Sequence, residues 1–272
     1  MEQLNVLSLG AGVQSTTMLL MACHGEFETK PDLVIFADTG WEPKKVYNHV
    51  QWLKKTVSQF GVEIITASNG NIRTDTLRAA QWKTRTANMP YYVQQADGSK
   101  GIIPRGCSDE YKIDAIYKAV RSHLGLRPRQ RMKPQSVVKW LGISTDEVER
   151  MKTSRNKWEV LWYPLIEKRM NRLDCMNWLE RNGYPIPPKS ACIGCPFHND
   201  RAWLEIKRHS PEEWQEAVDL EKALHEYGLR QMRGKVYLHK SCRPLEEVDL
   251  NENQMDLFDD DFINECSGHC AL

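Results

Sequence analysis

The stretch Asn5-Val6-Leu7-Ser8-Leu9-Gly10-Ala11-Gly12-Val13-Gln14-Ser15-Thr16 decides the fold. Its first five residues are apolar enough to read as a buried strand, and an apolar helix is expected from about Ser15 to Cys23. A glycine turn between a strand and a helix is an arrangement that receives anions. The glycines let backbone amides approach closely, and the helix supplies free N–H groups and the positive end of its dipole. Ser8, Ser15 and Thr16 add hydroxyl donors. No Gly-Lys-Ser/Thr follows, so this is not a Walker A loop, and Gly10-x-Gly12 lacks the third glycine of a dinucleotide fingerprint. Taken alone, the turn serves equally well as a packing turn.

Working outward, Leu33 to Ala37 reads as a second buried strand, a helix is expected from about Lys44 to Phe60, and Gly61 to Thr66 reads as a third strand. Strands separated by single helices predict a doubly wound, parallel α/β sheet. In such sheets ligands sit beyond the carboxyl ends of the strands, where the turns at 8–15 and 38–41 both fall. Residues 70–106 read as irregular. A helix is expected from about Asp109 to Leu124, a strand from Val137 to Ile143, and helices at 174–182, 200–209 and 211–227. Ser210-Pro211 marks the last helix start. The expected division is an α/β nucleotide-binding domain over 1–185 and a helical, cysteine-bearing extension with an acidic tail over 186–272.

The chain has 272 residues, 41% hydrophobic, and a formal charge of +1. No apolar run approaches the ~18 residues that span a bilayer. With no basic segment leading into an apolar one at the start, the expectation is a cytoplasmic protein without a membrane partner. The near-zero charge conceals an asymmetry. Residues 118–172 carry fourteen Lys/Arg against five Asp/Glu, and residues 246–265 carry nine acids and no Lys or Arg.

Several segments together carry a family resemblance. Ser8-x-Gly10-x-Gly12-x-Gln14-Ser15-Thr16 after the first strand resembles the PP-loop of the adenine-nucleotide alpha-hydrolase superfamily, in the form of its PAPS reductase-like proteins. Asp38-Thr39-Gly40-Trp41-Glu42-Pro43 is similar to that family's Asp-Thr-Gly motif. Arg105-Gly106-Cys107-Ser108-x-x-x-Lys112-Ile113 is similar to its Arg-x-Cys-Thr-x-x-x-Lys-Ile segment. Trp140-Leu141-Gly142-Ile143, then Asp146-Glu147, Arg150 and Trp162-Tyr163-Pro164-Leu165, resembles the stretch before its cysteine pair.

The resemblance implies a PP-loop (HUP-like) fold and a nucleotide, ATP or the sulfonucleotides APS and PAPS, with its phosphates on Ser8, Leu9, Gly10, Ala11, Gly12, Val13, Gln14, Ser15 and Thr16. It implies that residues 35–41, including Ala37, Asp38, Thr39 and Gly40, border the adenosine. Asp38 becomes a candidate contact to substrate or to a metal such as magnesium. Arg105, Lys112 and Arg150 become candidate anion contacts, the alternative for each being ordinary surface charge.

Cys192-Ile193-Gly194-Cys195 can converge two thiolates on one metal or cluster, or form a thiol–disulfide pair. The resemblance makes Cys107 the third ligand and a 4Fe–4S cluster the expected group, with zinc as the alternative and His198 a ligand in that case. Iron–sulfur members have two adjacent cysteines where this chain has Gly106-Cys107. The fourth ligand is therefore open: Cys242, Cys266, Cys270, another group, or none. The end Glu265-Cys266-Ser267-Gly268-His269-Cys270 is partly similar to the redox tail of sulfonucleotide reductases, making Cys266 a candidate nucleophile and Cys270 a candidate ligand. Cys23 and Cys175, in apolar surroundings, read as core filler.

Basic residues from Arg127 to Lys133, with tryptophans downstream, suit RNA or DNA phosphates and bases, or are a solvated loop. Gln254-Met255-Asp256-Leu257-Phe258 resembles the pentapeptide that docks on bacterial sliding clamps, or packs on the protein itself. Three functions stand open. The first is an ATP-dependent enzyme of sulfur transfer or nucleic-acid modification. The second is a sulfonucleotide reductase. The third is a nucleotide-binding accessory protein of a DNA-modification or phage-defence system with a structural metal. The oligomeric state is open as well.

Overall fold

The computed structural model describes residues 3–86, 88–94, 97–230 and 234–250. Strands β1 (Leu4–Leu9), β2 (Leu33–Asp38) and β3 (Ile64–Ser68) alternate with helices α1 (Val13–Cys23) and α2 (Lys44–Ser58). After β3 come α3 (Ile72–Trp82), β4 (Tyr92–Gln94), β5 (Lys100–Ile102) and α4 (Asp114–His123). Next are β6 (Val137–Leu141), β7 (Glu159–Trp162), α5 (Pro164–Glu167) and α6 (Arg172–Arg181). The last elements are α7 (Asp200–His209), α8 (Pro211–Tyr227) and β8 (Val236–Tyr237). Five strands form a sheet in the order β3-β2-β1-β6-β7, every neighbouring pair parallel. This is the doubly wound parallel sheet expected from the sequence, with helices beyond it in the C-terminal part. A second, antiparallel sheet has the order β5-β4-β8.

The period-two geometry of strands sorts the apolar side chains. Leu7, Leu9, Val34, Phe36 and Trp140 bury one face against α1, α2 and α6. Val6, Leu33, Ile35, Ala37 and Val137 bury the other against Ile116 and Val120 of α4. Helix α1 is buried along its whole length. Each of Met18, Leu19 and Leu20, removed from water completely, contributes on the order of 1.5–3 kcal/mol. A separate cluster unites Trp41, Ile72 and Tyr111 with Trp203, Trp214 and Leu220, so the residues after 186 share a core with α3 and the loop after β2.

The irregular reading of residues 70–106 is corrected by α3. Asn71 caps it, accepting from the Thr74 amide at 2.9 Å. Ile72, Thr76, Ala79 and Ala80 then fall on one buried face. Small and hydroxylated residues on that face, with Trp82 left exposed, hide the helical period from a hydropathy reading. Strand β3 starts three residues later than expected, because Gly61 (φ +73°) and Val62 finish the turn after α2. The helix expected from Asp109 opens as a π-helical turn, Asp109–Ile113, before α4. Among the described residues no helix is long and apolar enough to cross a membrane.

Candidate functional site

The turn after β1 differs from its sequence reading in two respects. The left-handed residue is Ala11 (φ +61°), not a glycine, and its side chain is fully buried. Gly12 is extended (φ −91°, ψ −176°) and caps α1, which begins at Val13 rather than Ser15. No side chain caps the helix, and its first turn holds no acid. Its leading amides and its dipole are therefore arranged for an anion.

The side chains of this loop have mostly structural partners. Thr16 Oγ1 lies 3.1 Å from His49 Nε2, and burial pushes His49 down to about 4. Gln14 Nε2 donates to Ser144 Oγ and to Glu147 Oε2, both at 3.2 Å, and its Oε1 accepts from Arg172 at 3.2 Å. Gln14 thus latches the loop to the turn after β6. Arg150, in the same turn, is ion-paired with Glu147. Gly142 lets this turn approach closely, since a Cβ there would stand 2.8 Å from the Ser15 amide nitrogen.

The loop after β2 is built by its own polar groups. Asp38 Oδ1 accepts from the Gly40 amide and from the Tyr47 hydroxyl, both at 2.8 Å. Gly40 has φ +72°, and a Cβ there would meet the Asn71 backbone at 2.8 Å. Thr39 Oγ1 donates to Glu42 Oε1 at 3.1 Å. Glu42, almost wholly enclosed, faces Lys112 Nζ at 3.5 Å, and Lys112 is enclosed as well. Lys112 lies on the π-helical turn, a distortion frequent at functional sites.

The Cys192–Cys195 knuckle is wedged between these two loops. The Ser190 hydroxyl donates to the Gly10 carbonyl. Cys192 Sγ stands 3.2 Å from Thr39 Oγ1 and 3.7 Å from Glu42 Oε1, and the Ile193 amide donates to the Trp41 carbonyl at 3.0 Å. Trp41 lies across Gly194 so closely that a Cβ on Gly194 would be 2.2 Å from the ring. Arg105 stacks over Phe197, 5.2 Å from the ring centre.

Cys107, Cys192 and Cys195 line one small pocket with Thr39, Arg105 and Lys112. In kind, three thiols suit a soft metal or an iron–sulfur cluster. In geometry, no three Cys, His, Asp or Glu side chains among the described residues close to metal-holding distances. His198 Nε2 meets the Cys192 carbonyl at 2.9 Å, so that nitrogen is committed to the knuckle's backbone. Cys242 is buried as well. The Tyr92 phenol, raised first by burial, is raised further by both Cys195 and Cys242.

Cys23 and Cys175 are buried, and burial pushes their thiols up to about 11 and 12. That agrees with core filling. Cys266, Cys270 and the Gln254–Phe258 segment lie outside the described residues. Residues 35–41, Trp41 among them, and the tight knuckle around Ser190 were readable from the sequence; the enclosed Glu42 and the bond from Ser190 to Gly10 were not.

No protein-family model matches the sequence, and no curated protein matches it. Solved structures resemble it in fold. One is phosphoadenylyl-sulfate (PAPS) reductase from Candida auris in a phosphate complex, at 13% identity over 68% of this chain and 75% of that one, with a TM-score of 0.42. Another is the U34-tRNA thiolase NcsA from Methanococcus maripaludis with its 4Fe–4S cluster, at 14% identity over 86% of this chain and 77% of that one, with a TM-score of 0.44. The likeness concerns the α/β fold.

Proposed function

We propose that this chain is a PP-loop enzyme that holds ATP, or a related adenylyl nucleotide, with its phosphates at the N-terminus of α1, and directs sulfur chemistry at Cys107, Cys192 and Cys195. One observation carries the reading: the cysteine knuckle is bonded to the phosphate loop through Ser190 and to the next strand-end loop through Thr39. A purely structural thiol pair gains nothing from being tied to an anion-ready turn and to the polar loop beside it.

In this reading the amides of residues 13–15 and the dipole of α1 receive the phosphates. Lys112 offsets developing negative charge on them, and Glu42 fixes the position of Lys112. An oxygen of the acceptor, a base or backbone group of RNA or DNA, attacks the α-phosphorus, and the bond to pyrophosphate breaks. A sulfur nucleophile presented at the thiols then displaces AMP. A cluster or zinc ion held by Cys107, Cys192 and Cys195 would supply a Lewis-acidic or sulfide-carrying centre there.

ATP–pyrophosphate exchange measured with and without RNA or DNA tests the reading. Exchange that requires the acceptor and is lost in Lys112→Met supports it. Release of sulfite from PAPS in the presence of a thiol reductant, without any exchange, would replace it with the sulfonucleotide reductase reading. Iron, sulfide and zinc assays on anaerobically purified protein decide which group the thiols hold.

A further inference from the structure

The basic stretch lies at the other end of the sheet from this site. Leu4 of β1 pairs with Val137 of β6, so residues 127–136 enter the sheet at the amino ends of the strands. The phosphate loop leaves from the carboxyl end of β1, six residues away, a separation of about 17–20 Å. The turn before β7 arrives at the same amino pole. The Gln135 amide donates to the Lys157 carbonyl at 2.9 Å, and the Val137 amide to the Trp158 carbonyl at 3.2 Å.

Both segments are held in place from within. Arg121, on the last turn of α4, donates from its two terminal nitrogens to the Gln130 and Arg127 carbonyls, each at 2.7 Å. Its guanidinium also lies over Tyr117, 5.4 Å from the ring centre. Glu159 accepts from Ser154 Oγ at 2.8 Å and from Asn156 Nδ2 at 2.9 Å, and its other oxygen meets Lys139 Nζ at 2.5 Å inside the sheet. Burial pushes the Glu159 carboxyl up, but Lys139, Asn156 and Ser154 outweigh it and hold it below the ordinary carboxylate range.

With Arg121, Lys139 and Glu159 turned inward, Arg127, Arg129, Arg131, Arg155 and Lys157 are exposed. Neither 127–136 nor 152–158 contains an exposed acid to pair with them. Tyr117 and Trp158, with ring centres 5.6 Å apart, are half-buried between the two segments. Leu4, Leu126 and Met132 line a groove beside Arg131 and Lys133.

We propose that this amino pole is a nucleic-acid backbone site, separate from the nucleotide site, that anchors a structured RNA or DNA while another part of it reaches the carboxyl pole. Exposed cations on two braced segments beside aromatic rings suit a polyanion. A mononucleotide would not span the two ends. Binding at the amino pole is measured without ATP and stands apart from the adenylation reading; only the reach of the nucleic acid to the carboxyl pole rests on that reading.

The test is fluorescence anisotropy of the full chain with a labelled RNA hairpin across a series of potassium chloride concentrations. At roughly 0.7–0.9 per phosphate contact, five contacts give a log–log salt slope of about −3.5 to −4.5. Arg127→Ala, Arg129→Ala and Arg131→Ala together should flatten it by about 2–3. Arg155→Ala with Lys157→Ala, on the other segment, should flatten it by about 1–2, which guards against misfolding of the first variant. Lys222→Ala, on α8 and ion-paired with Glu246, should leave it unchanged. The proposal is overturned if the hairpin does not bind at low salt. It is equally overturned if both amino-pole variants keep the wild-type slope, or if an acidic peptide displaces the hairpin while matching its affinity.

Discussion

At the carboxyl ends of the parallel strands Lys112, Glu42 and the Cys192 thiol are enclosed, whereas at the amino ends the arginines of residues 127–131 stand exposed. Lys112 and Glu42 share a buried pocket with Cys192. Arg127, Arg129 and Arg131 share only a braced surface. The difference separates two uses of positive charge. Enclosed charge has its direction fixed by neighbours and acts strongly over a few ångströms on a small ligand. Exposed charge is screened within a Debye length of about 8–10 Å and gains from number, which suits a polyanion.

Four experiments break or sharpen this contrast, from the largest effect to the smallest. Lys112→Met leaves the Glu42 carboxylate enclosed without its ammonium and should cost about 3–5 kcal/mol in urea unfolding. Glu42→Gln in the same chain should restore most of that loss. Gly194→Ala forces a methyl group into the Trp41 ring. It should destabilise by about 1–3 kcal/mol and, by displacing the thiols from the phosphate loop, slow turnover on the order of 100-fold.

The third concerns pH. Burial lowers His49 from 6.5 to about 4. The unfolded chain therefore binds this proton before the folded one does. The contribution of neutral His49 is complete above pH 6.5 and is lost as pH falls toward 4. Between pH 6.5 and 5 the loss is about 2 kcal/mol. His49→Leu should shrink that difference in unfolding curves taken at the two pH values. Smallest of all, the triple alanine change at Arg127, Arg129 and Arg131 should move stability by less than about 0.5 kcal/mol, and leave the ATP dependence of exchange unchanged.

The sheet was legible because β1, β2 and β6 are short apolar runs punctuated by glycine and polar turns, and each is buried on both faces. Helix α3 was not, because Thr76, Ala79 and Ala80 bury little apolar mass and leave no strong period. The turn after β1 was readable from its pattern as a strand-to-helix turn, but the residue that takes the left-handed conformation was not. Tertiary packing puts Ala11 there although Gly10 and Gly12 flank it. The cysteine pair was visible from spacing alone. Its position between two loops was not, because it rests on Ser190–Gly10 and Cys192–Thr39, pairs separated by 180 and 153 residues. The sequence showed the basic segment of residues 127–133 as close to an active site as any other. Only the register of β1 against β6 puts it at the opposite pole.

The central claim is that the phosphate loop and the cysteine knuckle form one site. Thiol footprinting by mass spectrometry, with alkylation rates of Cys107 and Cys192 followed with and without ATP and magnesium, tests it most directly, with buried Cys175 as the internal reference. The account predicts that saturating nucleotide slows alkylation of both thiols several-fold. Unchanged rates at a nucleotide concentration shown by calorimetry to saturate the protein would contradict it.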